Sequence, residues 1–279
     1  MTAVEERLPS LYDRRSILGA AGDELRAVAR YRRLVHMLIS SSLRTENVST
    51  VFGYLWWLLD PLFMMGAYVL LIDVIFRSGV RDFPLYVLMS ITAWKYFAAG
   101  ARDAMALTLS KERQMRQVTF PKLVLPLAAV LAESIRFAVA LTIVLCIAVG
   151  FGHLPHWTFV ALPLVGAVQF VFTLAVAIFL SALYMFFRDT QHVMTYLFQA
   201  WFFLSPALYA VSAVPHALEP VMRINPFGTI LPAYHGIVLH HAAPDFAALG
   251  GVVAASTVLL AGAILFFVWV EPAFVKVHS

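Results

Sequence analysis

Charge is scarce in this chain. Lys, Arg, Asp and Glu make up 13% of its 279 residues, about half the share of a soluble domain, so a fold dissolved in water is excluded and most of the chain belongs in lipid. Its one cysteine, Cys146, sits inside an apolar run; a lone thiol neither closes a disulfide nor completes a metal site, and it reads as packing. No glycine is followed by lysine, so the chain has no P-loop with which to bind and split ATP. HExxH, CxxC and GxSxG are missing as well. Asp60 and Asp73 are far apart in one apolar run and Asp245 lies in a loop, so no paired carboxylates suggest acid–base catalysis. His240 and His241 are adjacent, point to different faces of a helix and make a poor metal pair. No catalytic residue, metal or cofactor of the chain's own is expected. The opening MTAVEERLPSLYDRR lacks the apolar core of a cleavable signal, which predicts that the start stays in the cytoplasm.

What is there is hydrophobic, 61% of the chain, and it falls into six runs near the roughly 20 residues that a bilayer requires. They lie at about 52–76, 84–108, 123–149, 158–185, 191–211 and 249–270 and predict an all-α, polytopic integral membrane protein with six transmembrane helices. Residues 1–22, with Pro9, Gly19 and Gly22, read as a cytoplasmic tail. Residues 23–45 form a basic amphipathic helix, with Leu25, Val28, Leu34, Val35, Leu38 and Ile39 near a 3.6 spacing and Arg26, Arg30, Arg32 and Arg33 on the other faces. Such a helix lies in the membrane interface. Residues 46–279 make up the transmembrane domain. The net charge of +4 reflects cations beside the spans rather than a nucleic-acid surface. Cations from Arg7 to Arg44, from Lys111 to Lys122, and at Arg188 and Lys276 fall on one side, whereas Arg77, Arg81 and Arg223 fall on the other. That asymmetry places both termini in the cytoplasm.

Two segments do not fit plain spans. Ser110 to Lys122, SKERQMRQVTFPK, is too charged for a bilayer interior and lies in water. Ser110 as a cap, Glu112 in a first turn and Pro121 as a stop predict a short surface helix over 110–122. It reads either as a solvated loop touching anionic head groups or as a stiff element on which a soluble partner pushes. Val214 to Pro244 is divided by Pro215, Pro220, Pro226 and Pro232 into pieces too short to cross, yet it is too apolar for a free loop. Two short helices that enter the outer leaflet and return fit both facts, as does an ordinary interfacial cap.

Charges inside the spans need an account. Glu133 and Arg136, at i and i+3, predict an intramembrane ion pair. Asp60 precedes Pro61, which opens the backbone to solvation, and Arg102 can snorkel to the cytoplasmic surface. A proton relay of Asp60, Glu133 and Arg136 would instead make the chain a proton-coupled secondary transporter. Aromatic residues recur at helical spacing in two stripes: Tyr54, Trp57, Met64 and Tyr68 in the first span, and Phe198, Phe202, Ser205 and Tyr209 in the fifth. Such stripes serve packing or interface belts; they also suit a conduit on whose rings sugars stack.

Several of these positions together resemble the membrane (permease) subunit of an ATP-binding-cassette exporter of the bacterial polysaccharide, O-antigen or teichoic-acid type. Gly53, Trp56 and Pro61 resemble the family's entry into the first span, and Phe120, Pro121, Lys122, Leu125 and Pro126 its FPK-x-x-LP run. Arg188 and Asp189 match its RD after the fourth span. Ser205, Pro206, Tyr209, Pro215, Asn225 and Pro226 match its SP-x-x-Y…VP…NP run. The chain departs from the pattern at Glu46 and at Tyr234 and His235, near which the family commonly carries an Arg.

The resemblance implies a homodimer in the cytoplasmic membrane that docks two copies of a separate ATPase subunit, which uses ATP and Mg. It also implies outward movement of a lipid-linked glycan, with membrane lipid as the other partner and no nucleic acid. Lys111, Arg113, Gln114, Arg116, Phe120 and Pro121 would couple to the ATPase, and Pro215, Asn225 and Pro226 would belong to a re-entrant gate. A drug or lipid as cargo is the alternative within the same class.

Overall fold

The computed structural model describes residues 14–45, 56–77, 80–110, 120–211 and 214–277. Among these residues every regular element is helical. Helix α1 (Arg14–Arg30) and helix α2 (Arg32–Thr45) are separated by Tyr31 alone. The Tyr31 N–H still reaches the Ala27 carbonyl at 3.0 Å. Helical backbone is thus already present at Arg14, ahead of the expected start at residue 23, and is interrupted once before Thr45. α1 packs on the last helix and α2 on α5.

Helix α3 (Trp56–Tyr68) carries Pro61 in its interior, which removes one backbone donor and opens the turn before it. It continues as a π-helical turn over Val69–Ile75, a form that is rare elsewhere. Helix α4 (Phe83–Ser110) is the centre of the bundle. It touches α3, α5, α6, α7 and α9, and Leu85, Leu88, Ile91, Phe97, Ala101 and Met105 are all buried. A helix buried over most of its surface is apolar on most of its faces, as this one is. At Gly100 a Cβ would meet Thr173 Cγ2 at 3.0 Å, so the glycine lets α4 approach α6.

Helix α5 (Val124–Gly150) starts where Pro121 accepts the Val124 N–H at 3.1 Å. It ends in a Schellman motif: Gly152, at φ 92°, donates to Val149, and His153 donates to Ala148, both at 3.0 Å. A 3-10 turn at Trp157–Ala161 leads into α6 (Leu162–Tyr184), with a proline in its first turn. Helix α7 (Thr190–Leu204) is followed by short α8 (Glu219–Ile224), α9 (Phe227–Leu239) and α10 (Phe246–Val277).

Among the described residues three stretches, Val124–Gly150, Trp157–Tyr184 and Phe246–Val270, are long and apolar enough to cross a membrane. The other three expected spans each depart from that form. The first carries Pro61 in its interior and passes into a π turn. The second, α4, has 28 residues but carries Lys95, Arg102 and Asp103. The fifth is expected over 191–211, yet α7 has 15 residues, about 22 Å of helix against a hydrocarbon core of roughly 30 Å. Pro206 is the reason: the residue before a proline is pushed to extended backbone, and Ser205 sits at φ −97°, ψ 153°.

The proline-broken segment forms α8 and α9. Phe227, Ile230, Leu231 and Tyr234 of α9 are fully buried, covered by α4 and α6. Gly228 permits the hairpin, because a Cβ there would collide with the Met222 carbonyl oxygen.

Candidate functional site

Between α3, α4 and α7 lies a cavity of about 300 Å³ that collects part of each aromatic stripe. Met64 and Tyr68 come from α3, Phe198 and Phe202 from α7, and Ile91, Trp94 and Ala98 from α4. The Tyr68 and Phe202 rings are 5.9 Å apart, and Trp94 stands 5.6 Å from Phe202. Behind this wall the rings continue: Trp94 meets Phe227 at 4.7 Å, and Phe97 meets Phe198 at 5.2 Å and Phe172 at 5.4 Å. Phe97 and Phe172 are stacked and the other pairs tilted or edge-on, arrangements favoured by aromatic quadrupoles and worth about 0.5–1.5 kcal/mol per pair beyond burial. They make the wall stiff.

The same cavity has a charged edge. Lys95 forms an ion pair with Asp60, and Arg102, two turns further along α4, lines the cavity with Thr195 and Gln199 of α7. The Lys95 and Asp60 side chains keep 34% and 55% of their surface exposed, so a molecule in the cavity can reach both. Sequence reasoning missed Lys95 as the partner of Asp60. The available signal was chemical: an acid inside a span calls for a cation at similar depth.

The remaining predicted residues are distributed otherwise. Trp57 lies near the start of α3, 5.8 Å beneath the Arg136 guanidinium and away from the cavity. Arg136 pairs with Glu133, reaches Asp103 at 3.3 Å and donates to Ser42 Oγ at 3.0 Å. With Arg136 and Glu133 both 8% exposed, this group ties α2, α4 and α5 together. Asp103 and Ser42 were not foreseen.

Ser205 does not face the cavity. It is fully buried, donates to the Trp201 carbonyl at 2.9 Å and accepts from Asn225 Nδ2 at 2.9 Å. Asn225 Oδ1 in turn accepts Trp201 Nε1–H and the Phe227 N–H, each at 3.0 Å. Ser205 and Asn225 thus lock the end of α7 to the α8–α9 hairpin. Tyr209 joins the same region, its carbonyl accepting the Tyr86 hydroxyl at 2.8 Å. Pro215 is exposed and Pro226 half-buried, and Pro226 precedes α9 directly. His235 is buried, its ring stacked on Tyr86 at 3.7 Å and its Nε2 2.9 Å from Ser90 Oγ, a tie between α9 and α4. Pro121 is buried and Phe120 half-buried. Lys111, Arg113, Gln114, Arg116 and Tyr54 lie outside the described residues.

A larger cavity, about 670 Å³, opens between α5 and α6 beside Ser134, Leu141, Leu145 and Phe170. Its walls are almost wholly apolar and carry no charge, which suits acyl chains rather than a polar cargo. Among the described residues no group of three or more His, Cys, Asp or Glu side chains could hold a metal ion.

Comparison with known proteins agrees with this architecture. Residues 26–239 match the family model described as ABC-2 type transporter. The O-antigen export system permease protein RfbA of Myxococcus xanthus is 30% identical over 238 residues, covering 85% of this chain and 92% of the relative. A protein of the same name from Klebsiella pneumoniae is 23% identical over 208 residues, covering 74% of this chain and 80% of the relative. With a transporter model spanning most of its helices and a relative aligned over nearly its full length, the chain belongs to the ABC-2 type transporter family.

Proposed function

We propose that this chain is the permease subunit of an ATP-driven exporter and moves a lipid-linked polysaccharide of the O-antigen kind outward across the bacterial cytoplasmic membrane. The observation that carries the reading is the cavity between α3, α4 and α7, where rings from two stripes far apart in sequence meet, in a chain whose relatives are named O-antigen export permeases. Aromatic faces pass successive sugars without holding any one register, because stacking is tolerant of position.

The chain is a transport subunit, and the energy comes from two copies of a separate ATPase subunit that use ATP and Mg. Closure of the ATPase pair shifts the permease between conformations by binding one of them better. The force enters through the basic segment 110–122, where Lys111, Arg113, Gln114, Arg116, Phe120 and Pro121 couple the permease to the ATPase. Two copies of the permease form the conduit, each contributing an α3–α4–α7 wall, in the six-span arrangement with both termini in the cytoplasm. Asn225 and its partner Ser205 hold the hairpin that serves as the outer gate.

The test is charge reversal at Arg113 and Arg116 together, with lipid-linked glycan retained inside the cell as the readout. Export is expected to cease while membrane insertion is unchanged. Normal export by that variant, or export that persists without any ATPase and stops on adding an uncoupler, would contradict the reading and favour a proton-coupled transporter.

A further inference from the structure

We propose that Lys95 and Arg102 form a binding site for a phosphate-bearing head group, the anionic end of a lipid-linked glycan, and that Asp60 is a built-in competitor for it. The inference rests on the reading of this cavity as part of the substrate path, and adds to it a ligand chemistry that stacking alone does not supply.

The two cations are seven residues apart on α4, two helical turns, and therefore share one face, about 10 Å apart along the axis. Both line the cavity that the aromatic wall encloses. Charge within a membrane helix is expensive and marks substrate pathways when it is not fully paired. Lys95 is paired, but only by the half-exposed carboxylate of Asp60. Arg102 donates no hydrogen bond and forms no ion pair with another described residue. Asp103, next to it in sequence, lies within the reach of its charge but forms its ion pair with Arg136, at 3.3 Å. Of the charged residues that line the cavity two are cations and one is an acid, and Arg102 keeps its hydrogen-bond donors for a ligand.

Neutral sugars do not need that excess. A phosphate or diphosphate does: the guanidinium presents a planar fork that matches phosphate oxygens, and the ammonium a movable point charge. The Gln199 amide on the opposite wall can donate a further hydrogen bond, and the rings of Trp94, Phe198 and Phe202 lie next to the place where the first sugar or the lipid chain would follow. When the anion arrives, Lys95 exchanges the Asp60 carboxylate for a phosphate oxygen. Asp60 then sets how tightly the head group is held, so that the cargo is admitted and also released.

The experiment uses the full chain purified in phospholipid-free detergent, with farnesyl diphosphate as the probe and quenching of tryptophan fluorescence as the signal, since Trp94 stands in the cavity wall. Saturable quenching by farnesyl diphosphate is expected, weaker binding by inorganic pyrophosphate, and little by farnesol. Arg102→Gln is expected to weaken the probe roughly tenfold or more, the loss of a charge-assisted contact. Lys95→Arg should bind as the native chain does, and Arg223→Gln, on α8 and outside the cavity, should change nothing. Asp60→Asn is the decisive variant, because removing the competitor should tighten binding several-fold, whereas a merely structural acid would weaken it or leave it unchanged. Thermal melting of each variant separates a lost site from a lost fold, and the Asp60→Asn gain cannot come from unfolding. No binding by the native chain, equal affinity in Arg102→Gln, or dioleoylphosphatidylglycerol competing as well as the diphosphate would overturn the site. Glycan export followed separately keeps the two claims apart: a native chain that exports but binds no probe refutes the phosphate site alone.

Discussion

Two charged groups flank α4, and they are built on opposite principles. Around Arg136 the charges are enclosed and shared: Glu133 and Asp103 on one guanidinium, Ser42 of α2 beside it, and both members of the tighter pair 8% exposed. Around Lys95 the pair is open, with side chains 34% and 55% exposed, and Arg102 lines the same cavity without an ion pair among the described residues. A charge that is satisfied and sealed holds helices together, whereas a charge in excess that a ligand can reach is available for function. The comparison also separates the two aromatic roles in the first stripe, since Trp57 sits against the sealed group and Met64 and Tyr68 against the open one.

Substitutions should break this comparison in a definite order. Arg136→Gln leaves Glu133 buried without its cation, and removing one partner of a buried pair is strongly destabilising, about 3–5 kcal/mol. The measurement is membrane yield and thermal melting, both expected to fall sharply, with α2 released to protease. Arg102→Gln is expected to lower glycan export several-fold while the melting temperature stays within the range of an ordinary surface substitution, about ±0.5 kcal/mol. Equal loss of stability in the two variants would erase the distinction between the groups.

Phe202→Ala removes one face of the aromatic cavity. It should slow glycan passage, read as glycan retained inside, more than it reduces the amount of folded permease. The smallest effect is expected at Trp57→Ala. Its ring contributes a cation–π contact worth about 0.5–2 kcal/mol to the sealed group, so melting should drop modestly with little change in export beyond that explained by protein level. An export defect at Trp57 as large as that at Phe202 would return Trp57 to the conduit.

Much of the helical layout was legible because a bilayer forces long apolar runs, and the cores of α5, α6 and α10 lie within the runs read from sequence. The stripes were legible where the helix persists: Met64 with Tyr68, and Phe198 with Phe202, are each four residues apart and meet in space. Ser205 and Tyr209 continue the second stripe only on paper, since helical spacing means nothing beyond Leu204, where Pro206 turns the backbone. The charged partners were the hardest to see. Glu133 and Arg136 are one turn apart on one helix, but Lys95 and Asp60 are 35 residues apart on two helices whose rotation no periodicity fixes. Asp103 shows the same limit: its neighbour in sequence is Arg102, yet it faces Arg136. The lock between Ser205 and Asn225 was visible as a pair of motifs without any indication that the two side chains touch.

The most direct test of the central claim is photo-crosslinking during export. With p-benzoylphenylalanine in place of Tyr68, in cells that express the ATPase partner, the permease should capture lipid-linked glycan. The same group at Leu141, in the larger apolar groove between α5 and α6, should capture only lipid. Glycan captured at Leu141 and none at Tyr68 would contradict a substrate path through the α3–α4–α7 cavity.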